Sequence, residues 1–309
     1  MNILVGGSAG FIGSHLVDRL LECGHKVTGL DNLITGQKEN LFGLDARGDF
    51  RFVDHDICLP LPQFAESFDV VINLACPASP IDYQNIPLET LWVSAMGTKN
   101  LLELARKDGA RFLHASTSEV YGDPLIHPQT EEYWGNVNPI GPRSCYDEGK
   151  RFAESLIVNY KKVHGVESRV FRIFNTYGPR MRKNDGRVIP NFITQALSGE
   201  PITIYGDGKQ TRSFCYVDDM VDGIMAVMNA PVFSGPMNLG NPKETTILEL
   251  AELIVMMTDS GSEIAFKNLP QDDPRIRQPN INKARSEIGF EPKVSLKDGL
   301  ARTVTFFVG

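Results

Sequence analysis

The run Ile3-Leu4-Val5-Gly6-Gly7-Ser8-Ala9-Gly10-Phe11-Ile12-Gly13 decides the fold. A short apolar stretch reads as a buried strand, and a helical pattern opens at Ile12. Between them Gly7, Gly10 and Gly13 make a GxxGxxG. Glycine lets the turn tighten and lets backbone N–H groups come close to an anion, while the helix N-terminus adds partial positive charge. A glycine-rich turn is also compatible with a tight connection and nothing more, so the surroundings must decide.

Working outward, apolar runs recur at Lys26–Leu30, Arg51–Val53, Val70–Leu74 and Arg111–Ala115, without strict alternation. Strands buried on both faces look like this. Helical patterns at Ile12–Glu22, Leu88–Arg106 and Cys145–His164 lie between or after them. Strand-helix alternation predicts an α/β, Rossmann-type doubly wound parallel sheet with right-handed crossovers. A strand is expected at Ser168–Phe174. Gly, Pro and Arg then crowd the stretch from Asn175 to Arg187 and the strands shorten (Ile202–Tyr205, Ser213–Tyr216). Helices are expected at Val188–Leu197, Val217–Met228, Ile247–Met257 and near the C-terminus. The expected division is a dinucleotide-binding domain over 1–175 and a smaller substrate lobe over 176–309, with a soft boundary and possible returns to the sheet.

The second strand ends at Asp31. A carboxylate there accepts hydrogen bonds from the ribose hydroxyls of a dinucleotide and repels the extra phosphate of NADP, so NAD is the expected cofactor. Asp56-Ile57 follows the third strand as an adenine-edge candidate, with helix capping as the competing role for Asp56. Leu74 and Ala75 close the fourth strand at the crevice mouth. Phe11, Ile12, Asn32 and Lys99 complete the candidate cofactor contacts.

The 309 residues carry a net charge of -7, which disfavours nucleic acid and anionic membranes as partners. Five scattered cysteines form no CxxC and no metal-ligand spacing, so no metal is expected and reduced thiols fit a cytoplasmic protein. The N-terminus has no signal-peptide pattern and no apolar run reaches membrane-spanning length.

The sharpest local signal is Tyr146-Asp147-Glu148-Gly149-Lys150. Residues four apart on a helix share a face. A nearby ammonium and an oxidised nicotinamide both favour the phenolate, which would turn a poor base into a usable one. At the end of the fifth strand stands Ser116-Thr117-Ser118-Glu119. Strand ends at this edge face the ligand crevice, so Thr117 is a candidate to bond the reacting hydroxyl and Glu119 a candidate for acid/base work; capping is the competing role. Cys145 is expected to pack rather than react.

Several longer stretches carry a resemblance. They are Thr117-Ser118-Glu119-Val120-Tyr121-Gly122-Asp123-Pro124, Asn138-Pro139-Ile140-Gly141-Pro142-Arg143-Ser144-Cys145-Tyr146, Arg172-Ile173-Phe174-Asn175-Thr176-Tyr177-Gly178-Pro179-Arg180-Met181 and Gln271-Asp272-Asp273-Pro274-Arg275-Ile276-Arg277. With them the chain resembles, from end to end, an extended short-chain dehydrogenase/reductase, and within that family the UDP-glucuronate decarboxylases. Sugar-nucleotide 4,6-dehydratases carry Asp-Glu after the Thr, where this chain has Ser118-Glu119, and 4-epimerases usually lack the Glu as well. The resemblance implies Thr117, Glu119, Tyr146, Lys150 and Arg277 as working residues, with Ser118 as a candidate. It also implies UDP-glucuronate as substrate and a homodimer joined through the helices Leu88–Arg106 and Phe152–Val163. Without it, Arg277 reads as a solvated loop charge. For the UDP portion the candidates are Asn175, Val188, Tyr205, Gln210 and Arg212; arginine suits phosphate through its planar fork. Two other readings stay open: another NAD enzyme on UDP-sugars, such as a 4-epimerase of UDP-glucuronate or a 4,6-dehydratase, and a non-catalytic dinucleotide-sensing protein.

Overall fold

The computed structural model describes residues 1–44, 46–268 and 276–309. Gln271-Asp272-Asp273-Pro274-Arg275, part of one stretch that carries the resemblance, lies outside the described residues.

In strand β1 (Asn2–Gly6) alternate side chains serve different cores. Ile3 and Val5 join one cluster with Leu16 and Leu20, while Leu4 joins the opposite one with Val71 and Leu101. A strand that must fill both sides has no polar face, which is why its sequence is continuously apolar. Burying each such side chain contributes roughly 1.5–3 kcal/mol relative to exposure. Strands β2 (Lys26–Asp31), β3 (Phe50–Asp54), β4 (Val70–Asn73), β5 (Arg111–Thr117) and β6 (Ser168–Ile173) follow the same logic. All pair in parallel, in the order β6-β5-β4-β1-β2-β3. Met237–Leu239 adds a seventh strand beside β6, so the later part of the chain returns to the sheet. The order reverses between β1 and β4, and the crevice of a doubly wound sheet opens there, beyond the strands' carboxyl ends.

Helix α1 (Phe11–Glu22) packs on one face with Val217–Asn229, and Thr98–Asp108 and Ser144–His164 cover the other. The helix expected over Leu88–Arg106 is broken: Pro87–Trp92 is α-helical, Val93–Gly97 is a π-turn, and Thr98–Asp108 resumes the α-helix. Crowding accompanies the π-turn, since a Cβ on Gly97 would lie 2.7 Å from Ile57 Cδ1. The strand expected over Ser213–Tyr216 is two pieces with different partners. Thr211–Ser213 runs antiparallel to Glu244–Thr246, and Cys215–Tyr216 runs parallel to Thr176–Tyr177. No helix among the described residues is long and apolar enough to cross a membrane.

Candidate active site

Two adjoining cavities, of about 360 and 620 Å³, lie along the carboxyl edge of the sheet, and Gly7, Gly10, Leu74 and Cys76 line both. The smaller also meets Asp31, Asn32, Asp56, Ile57 and Ala75. Its glycines are there for space. Gly7 has φ +80° and an added Cβ would sit 2.7 Å from the Ala75 nitrogen; on Gly13 it would sit 1.9 Å from the Gly7 carbonyl oxygen. Helix α1 starts after Gly10, which offers no side-chain cap, and has no carboxylate in its first turn. Its first N–H groups therefore have no local anionic partner. Asp31 accepts hydrogen bonds from the Ala9 and Leu33 N–H groups, both at 2.9 Å. Burial pushes its proton affinity up and those two bonds pull it down, with a net rise. These features fit a dinucleotide: open backbone at an uncapped helix end for the pyrophosphate, and a fixed carboxylate at the end of β2 for a ribose. Asp56 accepts from the Cys58 N–H at 2.8 Å in a turn, not from a helix start.

Lys99 is the exception among the cofactor candidates. It is exposed on Thr98–Asp108 and lines neither cavity. The helix directs its neighbour Asn100 inward instead, where the Asn100 side chain donates to the Ile57 and Leu59 carbonyls.

The larger cavity holds Thr117, Ser118, Glu119, Tyr146, Lys150 and Arg277, and Phe11, Ile12 and Gly13 reach it from α1. The Thr117 hydroxyl hydrogen-bonds the Tyr146 phenol and also accepts from the Glu119 N–H at 3.2 Å, so capping and site geometry coincide. Lys150 donates to the Ala115 carbonyl at 2.9 Å, and its nitrogen stands 5.9 Å from the centre of the Tyr146 ring. The anticipated lowering of the tyrosine's pKa is absent from the protein alone. Burial, followed by the neighbouring Cys76 thiol, pushes it well above the usual phenol range, and the Thr117 bond opposes this only in part. The phenolate thus needs a further positive charge beside it.

Glu119 differs from the expected free carboxylate. Arg277 grips it through both nitrogens, one at 2.8 Å, and Arg143 donates to it at 2.7 Å. Burial would raise its pKa, but the two guanidiniums, Arg277 and then Arg143, reverse that and hold it well below the ordinary carboxylate range. In this arrangement it is a fixed anion and an anchor for two arginines, not a proton donor. Arg143 also lies over the Tyr83 ring at 5.9 Å, and Tyr83 stacks face to face on Tyr146 with centroids 5.1 Å apart.

Asn175, Val188, Tyr205, Gln210 and Arg212 line the same cavity, with the buried Arg212 on Thr211–Ser213. Sequence reasoning missed Tyr83, Arg143, Arg182 and Arg187, which also line it. Arg182 pairs with Asp82, and Arg187 pairs with Asp185 at 2.7 Å. For Arg182 and Arg187 the signal was the arginine-rich stretch between Asn175 and Arg187, noted as a change of texture without its partners.

Residues 3–240 match the family model described as NAD dependent epimerase/dehydratase family. The chain belongs to that family. It is 54% identical over 305 residues to UDP-glucuronic acid decarboxylase 1 of Xenopus tropicalis, covering 99% of this chain and 72% of that protein. It is equally 54% identical over 301 residues to UDP-glucuronic acid decarboxylase 5 of Arabidopsis thaliana, covering 97% of this chain and 87% of the relative. Among solved structures it is similar to UDP-glucuronic acid 4-epimerase from Bacillus cereus in complex with UDP-glucuronic acid and NAD. There the TM-score is 0.88 and identity 29%, over 100% of this chain and 99% of that one. Family membership accounts for the cofactor half of the cleft and makes NAD its cofactor.

Proposed function

We propose that this chain converts UDP-glucuronate to UDP-xylose, with NAD restored in each cycle. The observation that carries the reading is the cavity in which the Tyr146–Thr117 pair and the Arg277–Glu119–Arg143 cluster stand together. When bound, NAD would supply a reversible two-electron exchange at sugar C4; a carbonyl there, β to the C6 carboxylate, takes up the electron pair of the C5–C6 bond as carbon dioxide leaves, and C5 then takes a proton from water. Tyr146 takes the proton from the C4 hydroxyl and later returns it, with Thr117 orienting that hydroxyl. Lys150 adds positive charge beside Tyr146 and would hydrogen-bond the nicotinamide ribose. Arg277 meets the substrate carboxylate, exchanging one carboxylate partner for another. Glu119 and Ser118 bound the same space, with Glu119 holding Arg143 and Arg277 in place until substrate arrives. Asn175, Gln210 and Arg212 take the diphosphate, and Val188 and Tyr205 the uridine. The names and 54% identity of the decarboxylase relatives support this reading over epimerisation, which a 29% identical solved structure represents.

The test is NMR of the products from UDP-glucuronate with added NAD. Carbon dioxide and a pentose nucleotide are expected. A hexuronate inverted at C4 would replace the assignment by a 4-epimerase, and unchanged substrate over hours would remove both.

The reading includes a homodimer. Trp92, Phe152 and Val158 are 58%, 53% and 59% exposed on Pro87–Trp92 and Ser144–His164, an apolar face that a second copy would cover. Light scattering at micromolar concentration should give twice the mass of the 34.2 kDa chain. The five cysteines, all free, suit a reducing compartment such as the cytoplasm.

A further inference from the structure

Arg277 is held from two sides. At the front it meets Glu119. Behind it, the backbone of the next residue, Gln278, is bonded through both its N–H and its C=O to one side of the molecule. The Gln278 carbonyl accepts from the Gln129 N–H at 2.9 Å, and the Gln278 N–H donates to the Gln129 side-chain oxygen at 2.8 Å. The Asn280 N–H then donates to the Gln129 carbonyl at 2.8 Å. Gln129 is fully buried, and its remaining amide group donates to the Ile126 carbonyl at 2.8 Å. A buried primary amide with each end committed to a backbone partner has little freedom to rotate, and neither do the groups it holds.

The same anchor reaches Glu119 from behind. Asn238, also fully buried, donates to the carbonyls of Gln129 and Asn280 and accepts from the Tyr121 hydroxyl at 2.8 Å. Tyr121 ends the short 3₁₀ turn Ser118–Tyr121 that carries Glu119, and Arg172 donates to its hydroxyl at 2.8 Å. The segment bearing Arg277 and the turn bearing Glu119 thus share one buried hydrogen-bond network, although the two residues are 158 positions apart.

We propose that Gln129 is a positioning residue for Arg277: it fixes the Gln278 backbone so that the guanidinium faces the cavity beside Glu119. Gln129 lines neither cavity, so it acts through Arg277 and not on substrate. The proposal rests on the reading of Arg277 as the partner of the sugar carboxylate, and the experiment separates the two. Calorimetry compares UDP-glucuronate with UDP-glucose, which lacks the carboxylate, in NAD-loaded protein carrying Tyr146→Phe so that no ligand is turned over, alone and with Gln129→Met, Arg277→Ala or both. Gln129→Met keeps the length of the side chain and removes its hydrogen bonds. It should lower the preference for UDP-glucuronate about tenfold, the scale of one lost buried hydrogen bond. UDP-glucose affinity should be unchanged, and no further loss of preference should occur in the Arg277→Ala background. If Arg277→Ala itself keeps the preference, the role given to Arg277 fails. If Arg277→Ala abolishes it while Gln129→Met keeps it, or weakens both ligands equally, the positioning role is overturned. Should Gln129→Met not fold, Gln129→Glu retains the acceptor for the Gln278 N–H. It should keep more of the preference than Gln129→Ala; equal losses in those two variants would overturn the role.

Discussion

The two halves of the cleft are held by different means. The cofactor half is made of backbone: glycines whose missing Cβ leaves room, an uncapped helix start, and a carboxylate fixed by two N–H groups, all within the first hundred residues. The substrate half is made of side-chain charges brought from far apart. Asp82 meets Arg182, and Glu119 meets Arg143 and Arg277. A backbone cradle is fixed once the strand-turn-helix forms, and it can serve any substrate chemistry grafted beside it. A charge cluster can exchange one partner for another, because an incoming carboxylate offers a guanidinium the same bidentate geometry as the one it leaves. The difference assigns permanence to one half and exchange to the other.

Tyr146 stands where the halves meet, so its removal should give the largest effect. Tyr146→Phe keeps the stacking against Tyr83 and removes only the hydroxyl that Thr117 touches. Turnover of UDP-glucuronate should fall about a thousandfold, within the usual span for a lost general base. Affinities for NAD and for UDP by calorimetry should stay within about threefold of native, a difference under ~1 kcal/mol. Turnover within tenfold of native would break the idea that one proton acceptor links the two halves. A smaller effect should separate them. On Gly13→Ala the new Cβ meets the Gly7 carbonyl oxygen, which belongs to backbone and cannot rotate aside. A strain of about 2 kcal/mol should weaken NAD roughly thirtyfold. UDP affinity should be unchanged, and equal weakening of both ligands would show the halves to be mechanically one.

The same division explains what the sequence made legible. The strands of the sheet and the glycine turn rest on neighbours in the chain: period, apolar content and spacing. The helix Val188–Leu197 and the strand Ile202–Tyr205 have the limits expected of them. The π-turn at Val93–Gly97 was hidden, because its visible correlate is the packing of Gly97 on Ile57, set by tertiary contact. The cavity residues named from the fingerprint and strand ends were placed by position along β-strands, whereas Lys99 was not, and a single residue's turn on a helix sends it outward. Glu119 was legible as a residue and illegible as an environment. Nothing within ten positions announces Arg143 or Arg277, so a carboxylate expected to exchange protons turns out to be locked as an anion.

One buried group in the sheet is held by neither method. His114 on β5 is buried, and neither ring nitrogen has a hydrogen-bond partner among the described residues. Its ring stacks on Phe112, and burial, then the Lys150 charge, keep its pKa well below the usual histidine value of 6.5. The folded protein therefore excludes a proton that the unfolded chain accepts below about pH 6.5. Stability from this site is intact above that pH and is lost as pH falls beneath it, by about 1.4 kcal/mol between pH 7.5 and pH 5.5. His114→Leu fills the same apolar space and removes the titration. Urea unfolding at the two pH values should show the variant gaining that amount over the native protein at pH 5.5 relative to pH 7.5. Turnover at pH 7.5 should be unchanged, since the ring lines neither cavity. An unchanged pH difference would mean that water reaches the imidazole and hydrates its charge.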